Sequence, residues 1–195
     1  MPMQITFELS DYDLDYFRQV MLSAREKTSG LDEATIIDNA RKLLFQVLHS
    51  PTSDFILERM NRLEAMIGMV VDKRWGLEAE DRQRVLQALA YFSEPQDLIP
   101  DDIPGLGFLD DAIMIEMVMV ELQHEHQAYR DFCVFRAAES SRIGEDAMKL
   151  ERSDWLEERR MQLHARMRRR RRRSGGTGSG GKGGSRFSLF SRELQ

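Results

Sequence analysis

The chain has 195 residues, of which 42% are apolar and 31% charged, with a formal net charge of −5. That length allows one domain of ordinary size plus a tail, and the apolar share is enough for a core, which excludes a wholly disordered chain. The lone Cys133 excludes an internal disulfide framework and cysteine-rich zinc sites, and fits a reducing, cytoplasmic compartment.

The net charge conceals an asymmetry: residues 1–158 carry −16 and residues 159–195 carry +11. Such a layout concerns partners more than folding. The first eight residues show no basic flank ahead of an apolar run, so no signal peptide is expected. The longest apolar run, residues 112–122, is broken by Glu116 and Glu121 and falls far short of the roughly 20 residues that span a bilayer. No transmembrane segment is expected.

Residues 5–9 alternate in part, but a lone strand has nothing to pair with, and they are expected as an extended arm. Ser10 then reads as a helix cap with Leu9 and Leu14 at the staple positions, and Asp32 repeats the signal with Leu31 and Ile36. The first helix is predicted to about residue 24, and the second buries Ile36, Ile37, Ala40, Leu43, Leu44, Val47 and Leu48. Ser53 opens a third helix with Ile56, Met60, Leu63, Ile67 and Val70 on one face, closed by Gly76. A fourth covers about 78–92. A fifth runs from a cap at Asp110 or Asp111 to about 136, its first turns apolar almost all round, as a central helix requires. A sixth, about 144–167, is more polar and is expected to lie on the surface or project, with His49 and His164 as surface or boundary residues. Residues 174–185 are a Gly/Ser-rich linker, and the chain ends in a short basic and aromatic segment containing Phe187, Leu189 and Phe190.

Between the fourth and fifth helices stand three of the five prolines and two glycines, interleaved with Leu98, Ile99, Ile103, Leu106, Phe108 and Leu109. This connector is too rich in proline for a helix and too apolar for an idle loop. It sits in a 45-residue interval, 85–129, that has no Lys or Arg but nine acids: Glu94, Asp97, Asp101, Asp102, Asp110, Asp111, Glu116, Glu121 and Glu125. Three readings stay open. The aspartates serve turns and caps; or they hold Mg²⁺ or Ca²⁺, with Asp97, Asp101, Asp110 and Asp111 as the candidate ligands, though no EF-hand spacing is present; or the acidic face receives arginines, either the chain's own run or a partner's. At 100° per residue both sides of the fifth helix carry acids, so at least one glutamate near its apolar half should be partly buried, with a partner or a raised pKa. The Glu121–His124 spacing lacks the second copy a di-iron bundle needs, and His124 and His126 point too far apart to share a metal. No phosphate loop, nucleophile elbow or zinc-protease helix occurs.

Tyr91-Phe92, Pro95, Asp97-Leu98-Ile99-Pro100-Asp101, Ile103-Pro104, Gly105-Leu106-Gly107 and Leu109-Asp110-Asp111 resemble the signature of the YkvA-type domain, a bacterial domain of unknown function, over roughly residues 87–122. The resemblance implies a small helical domain with polar motif positions at Asp97, Asp101, Asp110 and Asp111. Many members carry hydrophobic helices assigned to membranes; Glu116 and Glu121 argue against carrying insertion over.

Arg166, Arg168, Arg169, Arg170, Arg171, Arg172 and Arg173 put seven arginines in eight positions. Guanidinium groups pair with nucleic-acid phosphates without sequence preference, and an anionic membrane surface offers comparable charge, with the terminal aromatics inserting.

The expected fold is all-α: a compact bundle of about six helices, residues 1–165, with the Pro-rich connector after the fourth, and a disordered basic tail from 166. The expected function is that of a non-enzymatic adaptor. Its acidic motif face (Asp97, Pro100, Asp101, Pro104, Gly107, Asp110, Asp111) takes a cationic partner, and its tail takes a membrane surface or nucleic acid. The location is cytoplasmic, at the inner face of the membrane if lipid is the partner. No cofactor beyond a divalent cation is implied. The alternative is a metal-dependent hydrolase using the motif aspartates, and a further option is that tail and acidic window bind each other until a polyanion releases them.

Overall fold

The computed structural model describes residues 8–93, 98–101, 103, 106–143 and 152–176. Among them are seven α-helices and no strand, so the fold is all-α. The expected arm at 5–9 lies mostly outside these residues; Glu8 and Leu9 are exposed coil.

The first three helices start where their caps predict. Ser10 precedes α1 (Asp11–Lys27) in a reciprocal capping box: its hydroxyl accepts the Asp13 N–H, and the Asp13 carboxylate accepts the Ser10 N–H at 2.8 Å. Those two Ser10 donors, hydroxyl first, hold the Asp13 pKa below its usual range. Asp32 caps α2 (Glu33–Leu48) through the Thr35 N–H at 2.9 Å, and Ser53 caps α3 (Asp54–Val71). The fourth predicted helix is shorter than expected: α4 (Ala79–Leu89) tightens into a 3₁₀ turn, Ala90–Ser93, that buries Tyr91 and Phe92 edge-to-face.

The single long helix expected after the connector is two. The first, α5 (Leu109–Glu121), ends at Leu122, where ψ turns to 15°, and α6 (Gln123–Ile143) follows. Hydrogen bonds from the Leu122 N–H to Val118 O and from the His126 N–H to Leu122 O continue across the joint, so the chain bends without unwinding. No Pro or Gly marks the place, and the apolar period runs straight through it.

The last helix also differs from expectation. Predicted to lie on the surface and end near 167, it is α7 (Arg152–Gly176) and carries the whole arginine run. The expected domain boundary at 165–166 therefore falls inside a helix. It packs along α6 and buries Leu163, His164 and Met167. His164 is only 3% exposed, because its ring lies on Trp75 with centroids 4.2 Å apart. A helix that reads as polar docks here through one narrow face.

The core joins α2, α3, the 3₁₀ turn and α5, with α5 buried almost all round as its composition requires. Eight of the twelve methionines lie in it, including Met60, Met66 and Met69 from α3 and Met114 from α5. The methionine-rich pattern is thus a core filled by adaptable side chains. No helix among the described residues is long and apolar enough to cross a membrane.

Candidate functional site

The described residues of the Pro-rich connector form tight turns. The Ile103 N–H reaches Pro100 O, the Leu106 and Gly107 N–H groups reach Ile103 O, and the Leu109 N–H reaches Leu106 O. The loop folds back so closely that a Cβ on Gly107 would lie 2.3 Å from the carbonyl oxygen of Asp101, so only glycine fits. Phe108, buried and left-handed at φ 65°, is the N-cap of α5. It replaces the predicted aspartate cap: Asp110 and Asp111 are in the first turn, and Asp110 looks back into the loop. One of its oxygens, Oδ2, accepts the N–H groups of Leu98 at 2.8 Å and Ile99 at 3.2 Å. A carboxylate at a helix N-terminus suits both the helix dipole and two orphan amides, so Asp110 pins the connector to α5.

The motif residues therefore occupy different settings. Asp110 and Asp111 are buried and Asp101 is half-buried, while Pro100 is exposed and Gly107 buried. Asp97 and Pro104 lie outside the described residues. Leu98, Ile103 and Leu106 present apolar surface on the loop. No group of three or more His, Cys, Asp or Glu among the described residues is placed to hold a metal ion.

The bases that the acidic interval lacks come from other helices. Glu116 pairs with Arg62 and, at 3.3 Å, with Arg59, both on α3. That contact holds Arg62 above its ordinary pKa. Glu125 is wholly buried, which answers the expectation that one glutamate of this region would be. Its Oε1 meets Arg171 of α7 at 2.8 Å and Arg84 of α4 at 3.5 Å. The same Arg171 nitrogen also bonds Asp81 of α4, itself 1% exposed. Burial alone would lower the Arg171 pKa; the hydrogen bonds to Asp81 and Glu125 outweigh it and hold the group above its ordinary value. Arg168, one turn earlier, pairs with Glu78 at 2.5 Å and lies 4.0 Å from Asp81. Two of the seven arginines thus belong to the interior face of α7.

A second set of contacts seats the start of that face. The segment between α3 and α4 turns at Gly76, φ 53°, and offers its carbonyls to α7: Arg160 donates to Gly76 O at 3.2 Å, and His164 Nε2 bonds Trp75 O at 3.2 Å. Trp75, fully buried, also packs against Phe132 of α6.

The remaining arginines point outward. Arg166, Arg169, Arg170 and Arg173, at positions i, i+3, i+4 and i+7, span about 100° of the helix. All four are exposed, as is Arg172. Arg166 reaches Asp131 only at 3.6 Å, and Arg169 bonds a carbonyl of its own helix.

Residues 84–117 match the model of DUF1232, a protein family of unknown function. No curated protein and no solved structure matches the chain. The DUF1232 segment runs from late α4 through the connector to α5, and so includes Asp110 and its loop but neither Asp81 nor Glu125 nor any part of α7. The sequence did not single out Asp81, but the option that the arginine run meets the acidic window agrees with the Arg171–Glu125 pair. The signal was there in part: the half-buried positions 156 and 160 and the buried positions 163, 164 and 167 define a helix face whose next member is 171.

Proposed function

We propose that the protein is a non-enzymatic interaction protein that binds the phosphate backbone of nucleic acid through the outer arginines of α7. The observation that carries this reading is the inward commitment of Arg168 and Arg171, which leaves Arg166, Arg169, Arg170 and Arg173 as a stripe on a helix held in place. The stripe rises about 10 Å, and guanidinium groups at such spacing follow successive phosphates without reading bases. Lipid headgroups offer similar charge, but between residues 162 and 174 no large apolar side chain is exposed, so this face has nothing to sink into a bilayer. The DUF1232 segment enters as a YkvA-type scaffold in a bacterial, cytoplasmic setting. With Asp110 and Asp111 buried, the motif face is not assigned a cationic partner.

The test is a gel shift with single-stranded RNA across a salt series, beside flotation with vesicles containing anionic lipid. Four phosphate contacts give a log–log salt slope of about −3, and Arg166→Ala with Arg169→Ala should halve it. Absence of a shift at low salt, or flotation without a shift, would overturn the nucleic-acid reading.

A further inference from the structure

The inner edge of the stripe does not face open solvent. Arg170 and Arg173 line a groove of about 880 Å³ whose other side is built by α3, the end of α5 and the start of α6. Arg62, Arg130, His124 and His126 share it. Its two acids, Glu58 and Glu116, are already engaged by Arg59 and Arg62. Among the described residues, Arg130, Arg170 and Arg173 pair with no carboxylate, and each guanidinium group is a planar array of donors. His126 is held below its ordinary pKa by burial and then by Arg130 and Arg62, as expected where positive charge collects around a neutral imidazole. A ring nitrogen of His124, Nε2, is buried without a hydrogen-bond partner. Helices α3, α5, α6 and α7 thus converge on one concave surface with three unspent guanidinium groups, and the docking of α7, to which Arg171 contributes, brings that helix to it.

We propose that this groove binds an anion carrying two or more linked phosphates, clamped by Arg130, Arg170 and Arg173, with His124, His126 and Gln127 as further hydrogen-bonding groups. One phosphate, with about −1.5 to −2 charges near neutral pH, leaves part of the cluster unmatched. A diphosphate or triphosphate matches three guanidinium groups and offers enough oxygens for forked contacts from each. This inference shares Arg170 and Arg173 with the backbone-binding reading, but Arg130, on α6, belongs to the groove alone.

Arg130 therefore separates the two ideas. Calorimetric titration of the full chain with tripolyphosphate should give saturable binding. Arg130→Ala, an exposed position whose loss should leave the circular dichroism unchanged, should weaken it about tenfold or more. Arg166→Ala with Arg169→Ala should weaken RNA backbone binding and leave tripolyphosphate affinity within about twofold. Two sources carry the chemistry: competition by ATP identifies a free nucleotide, and competition by a 5′-triphosphorylated oligonucleotide, but not its 5′-hydroxyl form, identifies a strand end. No saturable binding at millimolar tripolyphosphate, or an equal loss from the Arg130 variant and the Arg166/Arg169 variant, would overturn the groove as a site. Neither result would touch a salt-dependent RNA shift.

Discussion

Replacing Arg171 by Met tests the docking of α7, on which both binding surfaces depend. The substitution keeps the aliphatic stem and removes the guanidinium group, leaving Glu125, with its side chain at 0% exposure, and Asp81, at 2%, as buried carboxylates. Breaking a buried ion pair from one side costs about 3–5 kcal/mol, because a charge is left without its partner. Here Arg84 remains 3.5 Å from Glu125 and Arg168 remains 4.0 Å from Asp81, so the lower end, about 3 kcal/mol, is the appropriate figure. For a chain of this size that lowers the melting temperature by roughly 6–12 °C. Urea unfolding measures the cost directly, and limited proteolysis reports whether α7 has come off the body. The cause is checked by adding Glu125→Gln, which removes one stranded charge. The double variant should be more stable than Arg171→Met alone, and the cycle non-additive by about 1 kcal/mol or more. A loss below about 0.5 kcal/mol for the single variant, or simple additivity in the cycle, would mean that the helix is held by Leu163 and Met167 alone and that the reasoning from buried charge is wrong.

Asp110→Ala should cost about 2 kcal/mol, since it strands the partly buried N–H groups of Leu98 and Ile99. Faster hydrogen exchange at those two amides, with α5 itself still protected, is the measurement that checks it. His164 gives a pH dependence. Burial lowers its pKa below the ordinary 6.5, an effect only partly opposed by the Trp75 carbonyl. The unfolded chain therefore takes up a proton that the folded one refuses, and the His164 contribution is complete above pH 6.5 and lost as the pH falls below it. Urea titrations between pH 7.5 and 5 should show stability falling with pH, and His164→Phe should flatten that part of the profile; a parallel profile would refute the assignment.

The parts of the fold legible in the sequence are those set by neighbours along the chain. Ser10, Asp32 and Ser53 each act within three residues, so their caps could be read from local chemistry. The apolar faces of α2 and α3 follow from a 3.6-residue period, and the described residues of the connector form turns, as its prolines lead one to expect. The parts that escaped are decided across the chain. Arg171 lies 90 residues from Asp81 and 46 from Glu125, and no local pattern joins them. A run of arginines has the composition of a solvated tail, and two members at i and i+3 turn it into a docking face. The bend at Leu122 carries no Pro or Gly signal, and Asp110, although singled out, was read as a cap for its own helix when its partners are the amides of the loop before it.

The division of the arginine run also bears on how the two binding surfaces respond to salt. Exposed charges more than about 8 Å apart are largely screened at physiological ionic strength, whereas buried pairs are screened much less. Added salt should therefore weaken whatever the outer stripe holds well before it loosens Arg171 from Asp81 and Glu125. A polyanion arriving at Arg166 and Arg169 need not compete with those carboxylates, because the helix presents different side chains to each. This geometry opposes a mechanism in which a polyanion pulls α7 off the body. Release would have to strand two buried acids, and that cost exceeds what one exposed guanidinium gains from a phosphate in water. Protease sensitivity of α7 should accordingly be the same with and without saturating RNA. If RNA binding instead exposed the helix to cleavage, the buried pairs would be weaker than their placement requires, and the docked helix would be a switch.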